Sequence, residues 1–115
     1  MRLWHNPRCS KSREALALLA ARGVEPAIVD YLRDPPTPAQ VEALLRSLGG
    51  DPRALVRFKE DEASALGLSP GDDRSLKAWA ALLAAHPRLI ERPVLESGDR
   101  AAIGRPLENL LALLP

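Results

Sequence analysis

The residues of this chain with the clearest capacity for chemistry are its single cysteine, Cys9, and the cations around it. Cys9 ends the turn Asn6-Pro7-Arg8-Cys9, just after a short strand-like segment and just before a helical pattern that begins near Lys11. Unpaired backbone N–H groups and the positive end of a helix dipole at such a position favour the thiolate, which is the nucleophilic form. The gain is large, since at an ordinary pKa of about 8.5 only about 3% of a thiol is ionised at pH 7, against about 90% at a pKa near 6. His5, Arg8, Lys11, Ser12 and Arg13 crowd the same turn, and each offers positive charge or a hydrogen-bond donor to the sulfur. A lone cysteine is most often a small buried hydrophobe. The strand-to-helix turn and its cationic neighbours point here to a nucleophile instead. Ser12 stands three residues on, where a dithiol oxidoreductase would carry its second cysteine, so a resolving thiol has to come from another molecule.

Three arginines are candidates to bind what the thiolate attacks. Arg92 precedes Pro93, Arg105 stands between Gly104 and Pro106, and Arg57 ends a short helical piece in the middle of the chain. Three guanidinium groups beside a thiolate would make an oxyanion pocket. A tetrahedral oxyanion of about −1.5 to −2 charge accepts several charge-assisted hydrogen bonds, each worth about 1.5–3 kcal/mol, and lysine lacks the planar fork that serves them. Spacing along the chain does not by itself bring the three arginines together.

The elements that must position these groups follow from pattern. Arg2-Leu3-Trp4-His5 reads as a short strand closed by Asn6-Pro7. A helix from about Lys11 to Arg22 follows, with Gly23 as its left-handed stop, and Pro26 to Tyr31 forms a second strand, which together predict a right-handed parallel βαβ unit. Thr37-Pro38 caps a helix in which Val41, Leu44, Leu45 and Leu48 fall at i, i+3, i+4 and i+7, ended by Gly49-Gly50. Asp51-Pro52 restarts the chain into helical pieces near 53–57 and 60–66, then a longer helix over 75–86 with Trp79, Leu82 and Leu83 on one stripe. Beyond Pro87 the period changes to two. Val94-Leu95-Glu96, a Ser97-Gly98-Asp99 turn and Arg100 to Ile103 predict an antiparallel hairpin, and Pro106 opens a last helix with Leu107, Leu110, Leu111 and Leu114 toward the core. The order is that of a single α/β domain over 1–115, a thioredoxin-like mixed sheet of βαβ and ββα halves with a helical insert over approximately 37–88. In such folds the X-Pro bond at the start of the hairpin usually carries a cis proline, which places Arg92-Pro93 beside Cys9.

Composition excludes other classes. The chain has 115 residues and a net charge of +1, with thirteen Arg against three Lys and four aromatic residues, which argues against nucleic-acid binding by phosphate neutralisation or base stacking. One cysteine and two histidines cannot build the usual four-ligand zinc site, and no metal is expected. No apolar run comes near the roughly 18 residues that span a bilayer, and the N-terminus lacks a leader pattern, so a cytoplasmic protein is expected, small enough to work as a monomer.

Taken together, the blocks His5-Asn6-Pro7-Arg8-Cys9-Ser10-Lys11-Ser12-Arg13, Tyr31-Leu32-Arg33-Asp34-Pro35-Pro36, Arg53-Ala54-Leu55-Val56-Arg57, His86 to Pro93 and Ile103-Gly104-Arg105-Pro106-Leu107-Glu108-Asn109 resemble the glutaredoxin-coupled arsenate reductase family over the whole chain. The resemblance implies Cys9 as the nucleophile on arsenic, Arg57, Arg92 and Arg105 as the oxyanion-binding arginines, and His5 and Ser12 as the groups that tune the thiolate. It implies no bound cofactor, glutathione as co-substrate, and glutaredoxin as the partner that restores the free cysteine. A second reading of the same thiolate is a glutathione- or glutaredoxin-linked oxidoreductase or redox sensor with another substrate. A third is the related branch of transcription regulators that bind RNA polymerase; those usually show C-x-x-C without the arginines, whereas this chain shows Cys9-x-x-Ser12 and keeps them.

Overall fold

The computed structural model describes residues 1–115, and the chain divides into two compact units: Met1–Asp34 together with Arg92–Pro115, and Pro35–Glu91.

The first unit is built on a four-stranded mixed sheet in the order β2-β1-β3-β4. Strand β1 (Arg2–Trp4) pairs in parallel with β2 (Ala27–Val29), Leu3 opposite Ile28, and helix α1 (Ser10–Ala21) makes the connection between them. On its other side β1 runs antiparallel to β3 (Val94–Ser97), with Arg2 opposite Glu96 and Trp4 opposite Val94. Strand β4 (Arg100–Ile103) closes the hairpin expected from the alternating pattern, and Gly98 at φ 61° supplies the left-handed backbone that its tight turn requires. Because side chains alternate across a strand, Leu3 and Leu95 share one face, and there they pack with Ala15 and Leu19 of α1 and with Leu110 and Leu113 in one buried cluster. Trp4 and Glu96 lie on the opposite face. The Trp4 indole N–H donates to Glu96, which also pairs with Arg2 at 3.2 Å, and the Trp4 and Tyr31 rings lie 6.1 Å apart.

The closing segment departs from expectation. Residues Leu107–Leu113 form a 3-10 helix rather than an α-helix, and Pro106 precedes it as the cap instead of opening it. With three residues per turn, Leu107, Leu110 and Leu113 fall in line, so Leu110 and Leu113 are buried while Leu111 and Leu114 are only partly covered. Peptide bonds Arg92-Pro93 and Arg105-Pro106 are both cis.

The second unit is helical. Helix α2 (Pro38–Leu48) starts from a complete capping box, in which the Gln40 amide donates to the Thr37 hydroxyl and the Thr37 amide to the Gln40 side chain. It packs against α4 (Leu76–Ala85), which Ser75 caps through the Ala78 amide. Between them lie a 3-10 turn over Pro52–Leu55 and the short α3 (Asp61–Ala65), and a second 3-10 turn over Pro87–Leu89 follows α4. An isolated antiparallel bridge between Val56 and Ile90 interrupts the otherwise helical unit, flanked by bonds from the Arg57 amide to Leu89 O and from the Glu91 amide to Leu55 O, both 2.7 Å. Phe58 meets Trp79 edge-on at 6.2 Å, and the Arg74 guanidinium lies 5.4 Å from the Trp79 ring. No helix of the chain is long and apolar enough to cross a membrane.

Candidate active site around Cys9

The Cys9 turn is held from inside by its own side chains. The Asn6 carboxamide oxygen accepts from the Arg8 amide at 3.0 Å, the Cys9 amide donates to Asn6 O at 2.9 Å, and the Arg13 guanidinium donates to Pro7 O at 2.9 Å. Together these bonds fix the tight bend between β1 and α1, and they leave Cys9 at the N-cap position with extended backbone at φ −94°, ψ 123°. The first amides of α1 therefore face the sulfur.

The electrostatics of Cys9 are a contest. Burial pushes the thiol up, but the Ser12 amide, the Arg92 charge, the Lys11 amide and the Ser12 hydroxyl together outweigh it and hold Cys9 below the ordinary thiol value. Ser12 is fully buried, and its oxygen accepts from the Asn6 amide at 3.3 Å, which leaves the hydroxyl proton for the sulfur. The Arg105 guanidinium comes within 3.7 Å of Cys9 Sγ. Its Nε donates to Arg92 O at 2.8 Å, so the two arginines on either side of the hairpin are tied together at the sulfur.

A close backbone approach underlies that tie. The Gly104 amide donates to Pro93 O at 2.8 Å, and a Cβ on Gly104 would stand 2.9 Å from Pro93 Cγ and 3.3 Å from Leu110, so only glycine lets the end of β4 come this near. Arg92 and Arg105 are the residues next to this contact.

His5 lies at the end of β1, 7% exposed, with its amide on Val29 O at 3.0 Å and no hydrogen-bond partner on Nδ1. Burial pushes its pKa down, against Asp30, which raises it, and with Arg13, which lowers it. The imidazole is thus biased toward the neutral form, which disfavours a role as a cation. Of the arginines singled out from the sequence, Arg92 and Arg105 stand at Cys9. Arg57 belongs to the second unit, where its guanidinium pairs with Glu60 and donates to Arg88 O at 3.3 Å. No group of three or more His, Cys, Asp or Glu side chains is arranged to hold a metal ion.

Sequence reasoning missed Glu96. A glutamate in a half-alternating hairpin strand reads as a solvent-facing position, yet Glu96 is 6% exposed and anchors the indole of Trp4, the residue next to His5. Nothing in the sequence marks it, because the pairing that sets Arg2 opposite Glu96 joins residues 94 positions apart.

Known proteins match nearly the whole chain. The ArsC family profile matches residues 4–113. An arsenate reductase of Neisseria meningitidis is 42% identical over 116 residues, covering 99% of this chain and 97% of that protein, and an arsenate reductase of Haemophilus influenzae is 39% identical over 113 residues, covering 97% of each. Among solved structures, an arsenate reductase from Vibrio cholerae superposes with a TM-score of 0.89 at 40% identity, covering 99% of this chain and 98% of that one. The βαβ and ββα halves, the cysteine turn between β1 and α1 and these end-to-end matches make the chain a member of the ArsC family, with its thioredoxin-like fold.

Proposed function

We propose that this chain is an arsenate reductase in which Cys9 is the nucleophile and glutathione and glutaredoxin supply the electrons. The observation that carries the reading is the Arg105 guanidinium, 3.7 Å from a thiol already held below its ordinary pKa. A guanidinium at this distance stabilises the thiolate and also offsets the repulsion that an approaching anion would meet from it. The relatives named as arsenate reductases support the same substrate.

In this reading Arg92 and Arg105 take arsenate oxygens while the Cys9 thiolate attacks arsenic. An As–S bond forms, and one arsenic-bound hydroxyl leaves as water with a proton from solvent. Glutathione then brings the second sulfur: its thiol loses its proton, the two sulfurs join as a Cys9–glutathione disulfide, the As–S bond breaks, and arsenic(V) takes the two electrons and departs as arsenite. Cys9 is the only cysteine, so the mixed disulfide has no internal resolving thiol. A glutaredoxin thiolate attacks the glutathione sulfur and returns Cys9 free.

The test is NADPH consumption by the purified protein with arsenate, glutathione, glutaredoxin and glutathione reductase, with Cys9→Ser as the blank. Turnover that requires both arsenate and glutaredoxin and disappears in Cys9→Ser is the expected result; equal turnover in the variant would sink the covalent mechanism.

A further inference from the structure

A cavity of about 420 Å³ opens beside Arg105, within the roughly 300–1,000 Å³ of small-molecule sites. Its lining carries charges of both signs, Lys11 and Arg105 against Glu14 and Glu108, over an apolar stretch made by Pro106 and Leu107. That pattern does not suit a second bare oxyanion, which two glutamates would repel. It suits a ligand that is itself a zwitterion with an apolar stem. Arg105 belongs both to this lining and to the sulfur's surroundings, so a molecule seated here reaches toward Cys9 from the side of the arginine that would hold arsenate.

Resting on the reading of Cys9 as the nucleophile toward arsenate, we propose that this cavity binds the resolving thiol, a zwitterionic peptide thiol of the glutathione type. Lys11 takes a carboxylate of the ligand, Glu108 its ammonium group, and Pro106 and Leu107 the methylene stem. The pocket is closed by little in the free protein: Lys11 pairs with Glu14 at 3.4 Å with both side chains about half exposed, and exposed pairs of this kind are weak, so a ligand carboxylate displaces Glu14 readily. The site thereby accounts for a one-cysteine enzyme's need to hold its second sulfur in place, since positioning turns a bimolecular attack into a near-unimolecular one.

The probe is S-methylglutathione, which carries the charges of glutathione but cannot form a disulfide, titrated into ¹⁵N-labelled protein. The expected result is saturable shifts of the Lys11, Glu14, Leu107 and Glu108 amides. The N-acetylated probe, which lacks the ammonium, should bind about tenfold more weakly to the native protein, and Glu108→Lys should weaken the parent probe while abolishing that difference. Saturable shifts elsewhere, no saturable shifts, or a native protein indifferent to N-acetylation would each overturn the assignment. Kinetics separate it from the parent reading. If the native protein reduces arsenate with glutathione but Glu108→Lys leaves the KM for glutathione unchanged, the cavity assignment fails and the arsenate reading stands. If the native protein shows no arsenate turnover, the arsenate reading fails, and the titration alone decides whether the cavity takes the zwitterion.

Discussion

At Cys9 two effects of opposite sign meet, and their balance is measurable as the pH at which the sulfur becomes reactive. Burial favours the thiol; the Ser12 and Lys11 amides, the Ser12 hydroxyl and Arg92 favour the thiolate and win. The rate of alkylation by iodoacetamide should therefore rise with pH around an inflection below the ordinary thiol range, and an inflection at or above that range would remove the basis for a poised nucleophile. Ser12→Ala deletes one donor and should move the inflection upward, with a loss of reactivity at pH 7 that approaches about tenfold per unit only where the inflection lies well above pH 7. Much of this was legible because it is local: the cysteine, Ser12 and Lys11 lie within four residues, and a helix start fixes their relations. The Arg105 contact was not, because 96 residues separate it from Cys9 and only the pairing of β1 with β3 brings the hairpin to the turn. Glu96 was illegible for a related reason, since its burial depends on the two-sided covering of a strand whose alternation looked one-sided.

Among the elements, the closing helix shows where a pattern underdetermines a structure. Leu107, Leu110, Leu111 and Leu114 satisfy an α-helical stripe, while Leu107, Leu110 and Leu113 satisfy a 3-10 stripe in the same segment, and the choice falls to packing against Leu3, Leu19 and Leu95. The consequence can be checked by urea unfolding: Leu113→Ala should cost about 2–5 kcal/mol and Leu111→Ala clearly less, whereas an α-helix would reverse the order. By contrast α2 was legible in full, because its cap, its proline, its leucine spacing and its terminal glycines all give the same answer. At the end of β4, Gly104→Ala should destabilise the protein by about 1–3 kcal/mol through the clash with Pro93 and slow the alkylation of Cys9, because Pro93 and Gly104 adjoin the two arginines at the sulfur. Unaltered stability and alkylation in that variant would show that the hairpin yields without cost.

For the molecule as a whole, the sequence order of the first unit is interrupted: Met1–Asp34 and Arg92–Pro115 make one sheet although the second unit lies between them in the chain. Alternating strand and helix signals disclosed that order, while the extent of each unit is a property of packing that no single segment carries. The two tryptophans are distributed one to each unit and differ in their surroundings. Trp4 donates its indole N–H to Glu96 beside Tyr31, and Trp79 sits between the edge of Phe58 and the Arg74 guanidinium. The chain thus contains a pair of native fluorophores in distinct polar environments. Single-tryptophan variants, with Phe in place of the other indole, would report the melting of each unit by its own emission, with no dye attached near the reactive sulfur.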